Sequence, residues 1–154
     1  MATPRETPFG AYNFIVEFDG NDPATSALGG FSDVSGLGTE ITLMEYRQGN
    51  DKENRVRKIP ALHKAGDVTL KRGIMGQTNF WQWIRTTRAD PTHKRNVSIT
   101  LQDEQRKPVL KWKLINARPM KWTGPTLAAK GGSDVAMEEL VIASEGFEFD
   151  PPTA

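Results

Sequence analysis

The chain has 154 residues, a formal net charge of +1 and no cysteine. This length fits one domain with a single core, so residues 1–154 are expected to form one unit, with an irregular arm over residues 1–8 and a tail over residues 151–154. The near-neutral charge gives no long-range field that would attract nucleic acid or an anionic membrane. The lack of cysteine excludes disulfide frameworks, thiol nucleophiles and cysteine-bound metal centres.

No segment has the character of a signal peptide or a membrane span. Hydrophobic residues make up 37% of the chain and charged residues 25%, as in ordinary soluble proteins. No apolar run approaches the roughly 18 residues that a spanning helix needs. These features predict synthesis and folding in the cytoplasm, without insertion of the protein into a membrane.

The first part of the chain alternates in the manner of β-strands. Tyr12, Phe14, Val16 and Phe18 share one face of a period-two pattern, which is typical of a half-buried strand. Two further strands are predicted in FSDVSGL and TEITLMEYRQ. The second of these carries apolar residues on both faces, so both faces are expected to be covered.

A highly charged segment, Arg47 to Gly66, interrupts the strand pattern and predicts a long exposed loop or a protruding hairpin. Its charges concentrate in the part from Arg47 to Lys58, where acidic and basic residues are interleaved and no aromatic residue offers a stacking surface for a base. Mixed charge of this kind favours a protein contact. The candidate contact residues are Arg47, Asp51, Lys52, Glu53, Arg55, Arg57 and Lys58.

The stretch DVTLKRGIMGQTNFWQWIR combines a strand, a glycine turn and a helix. Helical spacing predicts one helix over about Thr78–Thr87, with Thr78 as its N-cap. The residues predicted to pack this helix onto the sheet are Phe80, Trp83 and Ile84.

The glycine turn in this stretch lacks the features of a phosphate-binding loop. Gly73 and Gly76 are followed by Gln77 and Thr78, with no lysine to reach a terminal phosphate. The dinucleotide fingerprint needs a third glycine. A simple turn between strand and helix is the favoured interpretation.

The remaining sequence predicts strands in RNVSITLQD, PVLKWKLINARP and VAMEELVIASEGFEFD. Since most strands adjoin through short turns, the predicted fold is mainly β: an antiparallel barrel or two-sheet sandwich of about six to eight strands with one flanking helix.

The residues predict no active site, metal site or cofactor. His63 and His93 lie in polar, loop-like sequence and lack metal-ligand spacing. Glu138 and Glu139 are adjacent on a strand, so they point to opposite faces and are expected at a solvated edge. An interaction protein is favoured over an enzyme, and a monomeric nucleic-acid-binding barrel that uses the basic residues stays open as the alternative.

Several blocks occur in an order that resembles a known family. They are NFIVEFD, GGFSDVSGL, EYRQGND, RKIPALHKAGDVTLKRG, FWQW and LINARPMKWTGPTLAAKG. The sequence resembles the tail tube protein family of contractile phage tails and phage-tail-like extracellular contractile injection systems, which is related to the type VI secretion tube protein. The resemblance extends from about Phe9 to Phe149, with Ala61 at a position where the family often has glycine.

This resemblance implies a structural subunit without catalysis or cofactor. It implies hexameric rings that stack into a hollow tube, with neighbouring strands joined around the lumen and the charged segment reaching toward a neighbouring subunit or ring. The implied partners are further copies of the chain, a sheath protein, baseplate or initiator tube proteins, a tube terminator and lumen cargo, with no specific nucleic-acid binding. The implied particle is a phage tail, an extracellular injection device or a membrane-anchored relative.

Overall fold

The computed structural model describes residues 6–18, 31–50, 52–76, 78–132 and 134–150. Within them the chain forms nine strands and one helix. In chain order these are β1 (Phe14–Phe18), β2 (Asp33–Ser35), β3 (Thr39–Tyr46), β4 (Arg57–Ala65), β5 (Val68–Gly73), α1 (Asn79–Ala89), β6 (Arg95–Gln102), β7 (Pro108–Thr123), β8 (Met137–Ala143) and β9 (Gly146–Asp150). The prediction of a mainly β, antiparallel fold with one flanking helix is confirmed.

The structure has more strands than the six to eight that the sequence predicts, for two local reasons. The charged segment supplies a strand of its own, β4. The last predicted strand is divided at Ser144 and Glu145, where the Glu145 N–H donates to the Ile115 carbonyl at 3.0 Å. This turn sends β9 back along β7 instead of continuing β8.

Strand β7 is the element that joins the two halves of a seven-stranded sheet. Its first half pairs with β6 and β9, and its second half pairs with β8. One half therefore has the order β1-β6-β7-β9 and the other the order β7-β8-β5-β2. Because the described strands leave open edges, they form a two-sheet sandwich and not a closed barrel.

A bulge bends β7 where its partners change. The register with β6 shifts between Arg95 and Val97, and Asn116 adopts a φ of 53°. The backbone N–H of Asn116 donates to the Asn96 side-chain oxygen at 3.1 Å. The side-chain amide of Asn116 donates to a Glu145 carboxylate oxygen at 2.8 Å. Asparagine tolerates positive φ better than most residues, and bulges increase local bending and twist. This bend turns one strand into a member of both halves.

The core forms where the apolar faces of the two halves meet the helix. Phe80 and Trp83 are buried in it, and Ile84 packs against it. The Trp83 ring meets the Phe18 ring edge to face, with centroids 5.2 Å apart. The other core residues alternate along the strands, and they are Val16, Val68, Leu70, Val97, Ile99, Leu114, Ala117, Leu140 and Ile142.

The helix is slightly longer than predicted at its C-terminal end, because it runs to Ala89. Thr78 occupies the N-cap position, but its side chain makes no capping hydrogen bond. Its hydroxyl instead accepts a hydrogen bond from the Gln82 side chain at 3.0 Å. The helix ends before Pro91, as expected from the restriction that proline places on the preceding residue.

A buried ion pair joins Arg72 of β5 to Glu138, which lies directly opposite it on the neighbouring strand β8. The Arg72 Nε donates to a Glu138 carboxylate oxygen at 2.5 Å, and both side chains are almost fully buried. The other Glu138 oxygen accepts from the Trp122 indole at 3.2 Å, while the Arg72 guanidinium lies 3.9 Å from the centre of the Phe80 ring. The expectation that Glu138 lies at a solvated edge is wrong, because it shares the inward face of β8 with Leu140 and Ile142.

We expect the Arg72–Glu138 pair to show strong coupling in unfolding experiments. The Glu138→Ala variant should lose about 3–5 kcal/mol of unfolding free energy, because it leaves the Arg72 charge buried without this partner. The double variant Arg72→Met/Glu138→Ala should lose much less than the single changes Arg72→Met and Glu138→Ala added together. Urea denaturation of the four proteins measures this cycle, and additive losses would contradict the assigned pairing.

Candidate assembly interface

Strands β3 and β4 form a separate two-stranded hairpin that extends from the sandwich. At its base, the Gly66 N–H donates to the Gly38 carbonyl at 2.9 Å. Neither strand packs broadly against another described element, although β4 makes a small contact with β9. The charged segment is therefore largely a projecting hairpin, one of the two forms that the sequence predicts.

The backbone is closely packed where the hairpin leaves the sandwich. Gly36 has a φ of +87°, and a Cβ atom on it would lie only 2.1 Å from the Asp67 carbonyl oxygen. Glycine is needed here both for its backbone angle and for the lack of a side chain. The close approach fixes the strand that enters the hairpin against the segment that leaves it.

Both faces of the hairpin expose apolar side chains. Leu43 is 49% exposed and its neighbour Met44 is 53% exposed. Adjacent strand residues point to opposite faces, so neither face is covered. Their cross-strand partners Pro60 and Ile59 are also exposed, and Leu62, beside the register shift, is 76% exposed.

The expectation that both faces of β3 are covered is therefore not met within one chain. Exposed apolar surface of this kind is typical of protein interaction sites. We name the apolar surface of Leu43, Met44, Ile59 and Leu62 the hairpin ribbon.

The predicted contact residues gather at the far end of the hairpin. Arg47, Lys52, Glu53 and Arg55 lie in the connection between the two strands, and Arg57 and Lys58 begin β4. Asp51 lies outside the described residues. We call residues 47–50 and 52–58 the hairpin tip.

Several side chains of the hairpin tip interact with one another. The Arg47 guanidinium donates to the Asn54 side-chain oxygen at 3.2 Å, and Arg55 forms an exposed ion pair with Glu53 at 2.7 Å. A shallow depression of about 220 Å³ is lined by Lys52, Glu53, Arg55 and Arg57. Basic residues thus predominate on the described surface of the tip.

Three strands of the sandwich have only one partner strand among the described residues. They are β1, β2 and β9. An open strand edge presents unpaired backbone N–H and carbonyl groups, which can pair with a strand of another chain. The hairpin ribbon and these edges together offer extensive surface for association between copies.

The two histidines do not belong to a cluster of potential metal ligands among the described residues. His63 lies within β4, so its predicted place in a loop is wrong, whereas His93 lies in the connection after the helix. No group of three or more His, Asp or Glu side chains that could hold a metal ion occurs in the described part of the chain. None of the helical structure described is long and apolar enough to cross a membrane.

The sequence matches the family model of the T4-like virus tail tube protein gp19 over residues 10–148. The chain belongs to this tail tube family. The predicted resemblance is thereby confirmed, and the protein is a tail tube subunit of the contractile injection type. A search of curated proteins found no match.

Solved structures support this assignment. The subunit is 26% identical to a chain in the sheath–tube complex of the PVC extracellular contractile injection system in its extended state, covering 96% of this chain and 94% of that chain with a TM-score of 0.80. It is also 26% identical to a chain in the baseplate structure of the anti-feeding prophage, covering 96% and 98% with a TM-score of 0.82. A type six secretion system protein shares the fold at 9% identity, 90% and 83% coverage and a TM-score of 0.54.

Sequence reasoning did not predict strand β4, and it therefore did not predict the hairpin ribbon as a surface. It identified the charges near Arg55 as the contact surface and left the apolar part of β4 in a loop. The available signal was the run of apolar residues on both faces of β3, which continues across the hairpin as Ile59 and Leu62. Neither strand contributes to the core, so no burial pattern predicted their pairing.

We expect Gly36→Ala to destabilise the tail tube subunit by about 1–3 kcal/mol or more. Alanine is strained at this φ, and its methyl group would clash with the Asp67 carbonyl oxygen. Gly38→Ala is the matched control, because a Cβ there has no atom within 4 Å. Urea unfolding should separate the two variants. Equal losses would show that the close approach at the hairpin base contributes nothing specific.

Proposed function

We propose that this subunit forms hexameric rings that stack into the hollow inner tube of a contractile injection apparatus, which sheath contraction drives through a target envelope. The observation that carries the proposal is the hairpin ribbon, whose two apolar faces lack a cover in the single chain. An isolated two-stranded hairpin is marginally stable in water, and neighbouring subunits supply the missing contacts.

In this proposal, rings close because open strand edges of the sandwich pair between adjacent subunits. Strands β1, β2 and β9 each have a free side among the described residues. Pairing of two such edges between adjacent copies would extend the sheet around a lumen and leave one of the three edges for other contacts. The same contact, repeated around a ring, produces a closed structure from one kind of subunit.

The partners follow from the same proposal. The chain would contact a surrounding sheath, a baseplate and a tube terminator, since relatives at 26% identity come from a sheath–tube complex, a baseplate and a sheath/tube terminator structure. The subunit would act by assembly and not by catalysis. It would be made and assembled in the cytoplasm before it becomes part of a tail or a released particle.

Electron microscopy of the purified subunit at high concentration tests the proposal. Wild-type protein should form six-fold rings or hollow tubes, whereas Met44→Asp/Leu62→Asp should remain unassembled, because charge on the hairpin ribbon opposes burial. The matched control Met44→Leu/Leu62→Met keeps the surface apolar and should assemble. A strictly monomeric wild-type protein, with no polymer in isolated particles, would contradict the tube function.

The charged residues of the hairpin tip are proposed to guide contacts between subunits. We expect Arg55→Glu/Arg57→Glu to weaken ring closure or ring stacking while the unfolding free energy stays within about 0.5 kcal/mol of wild type, because both side chains are exposed. Sedimentation measures assembly and urea denaturation measures folding. Unchanged tube yield would remove these residues from the interface.

A further inference from the structure

A second surface lies at the end of the sheet that is farther from the hairpin base. Between β7 and β8, the described residues 124–132 and 134–136 form a loop that borders a groove of about 450 Å³. We call it the distal groove, and the residues used below are Thr123, Asp134, Val135, Met137 and Glu139. Val135 is 73% exposed, and the charged residues in the described lining are Asp134 and Glu139.

Strand pairing places the distal groove and the hairpin base at opposite ends of the sheet. Strand β5 begins at Val68, next to the hairpin base at Gly66, and ends at Gly73. Gly73 lies opposite Met137, and Glu139 lies opposite Thr123, so the groove borders the far end of β5. At a rise of about 3.3 Å per residue, the two ends are roughly 17–20 Å apart.

The two surfaces are complementary in charge. The described hairpin tip carries Lys52, Arg55 and Arg57 around its depression, against one acidic residue, Glu53. The distal groove carries the acidic residues Asp134 and Glu139. Opposite charges on two interacting surfaces orient the partners and suppress wrong contacts.

The two surfaces also match in apolar character. Val56, between the two arginines of the tip, is 45% exposed, and Val135 in the groove lining is also exposed. A groove of this volume accommodates a few side chains and not a folded domain. The end of a loop, such as the hairpin tip, is small enough to place a few side chains in the groove.

We propose that the distal groove of one subunit receives the hairpin tip of a subunit in the next ring, with Arg55, whose exposed ion pair with Glu53 is weak and exchangeable, directed toward Asp134. Two different surfaces of one chain make a heterologous contact, which propagates into a filament where it does not close into a ring. This inference rests on the proposed tube function and adds to it the receiving site for each hairpin. The occupant of the groove is a second copy of this chain.

A charge exchange between Arg55 and Asp134 tests the contact. Asp134→Arg and Arg55→Glu should each shorten tubes and lower tube yield, by about two- to fivefold per contact and more across a whole ring. The combined variant Arg55→Glu/Asp134→Arg restores opposite charges and should return tube length to within about twofold of wild type. Asp134 is chosen over Glu139 because Glu139 already lies opposite Lys71.

Lys130→Glu is the matched control, since it reverses a charge in the same loop outside the described groove lining. It should leave tube length unchanged. Electron microscopy of purified full-length protein gives tube length and ring integrity, and circular dichroism checks folding. Rings should persist in every variant, because the exchange concerns stacking and not closure.

The outcomes separate this inference from the tube function. Tubes of normal length in Asp134→Arg, or no recovery in the combined variant, would overturn the groove assignment while wild-type tubes still support the proposed function. Loss of rings in Asp134→Arg, with folding intact, would also overturn it by placing the groove in ring closure. Absence of rings and tubes in the wild type would instead remove the proposed function on which the inference depends.

Discussion

A two-stranded ribbon has no third element to cover its side chains, and this constraint limits the stability of the hairpin in a single subunit. Apolar residues on both of its faces remain in contact with water as long as the chain is alone. Covering them releases the free energy that ordinary cores gain during folding. Order in the ribbon and association between copies are therefore linked, since a partner that binds only the ordered form stabilises it.

The sandwich, in contrast, contains its own core and needs no neighbour to bury it. Its two halves share β7, and the helix covers them with Phe80 and Trp83. The Arg72–Glu138 pair links strand to strand, while the Phe80 ring lies against the arginine and so includes the helix in the same cluster. A stable body thus carries a projecting arm, and each part is held by different interactions.

The sequence predicted those elements that bury one face, because burial produces a period of two in strands and of 3.6 in the helix. Glu138 lies on the same strand face as Leu140 and Ile142, so the alternation predicts that it is buried. It was nevertheless assigned to the surface because it is charged. Strand β4 contributes nothing to the core and lacks such a pattern. The distal groove depends on pairing between distant segments, as with Thr123 and Glu139, which no local pattern encodes.

The close approach of Gly36 to the Asp67 carbonyl has a consequence for how copies meet. Because Gly36 packs closely against Asp67 and Gly66 is hydrogen-bonded to Gly38, the base of the arm is fixed when the monomer folds. The entropy lost in fixing the base of the arm then falls on the folding step, so that only the outer part of the hairpin remains to be ordered by a partner. In the proposed tube, growth would gain from this, because each incoming copy would bring a hairpin whose base is already fixed.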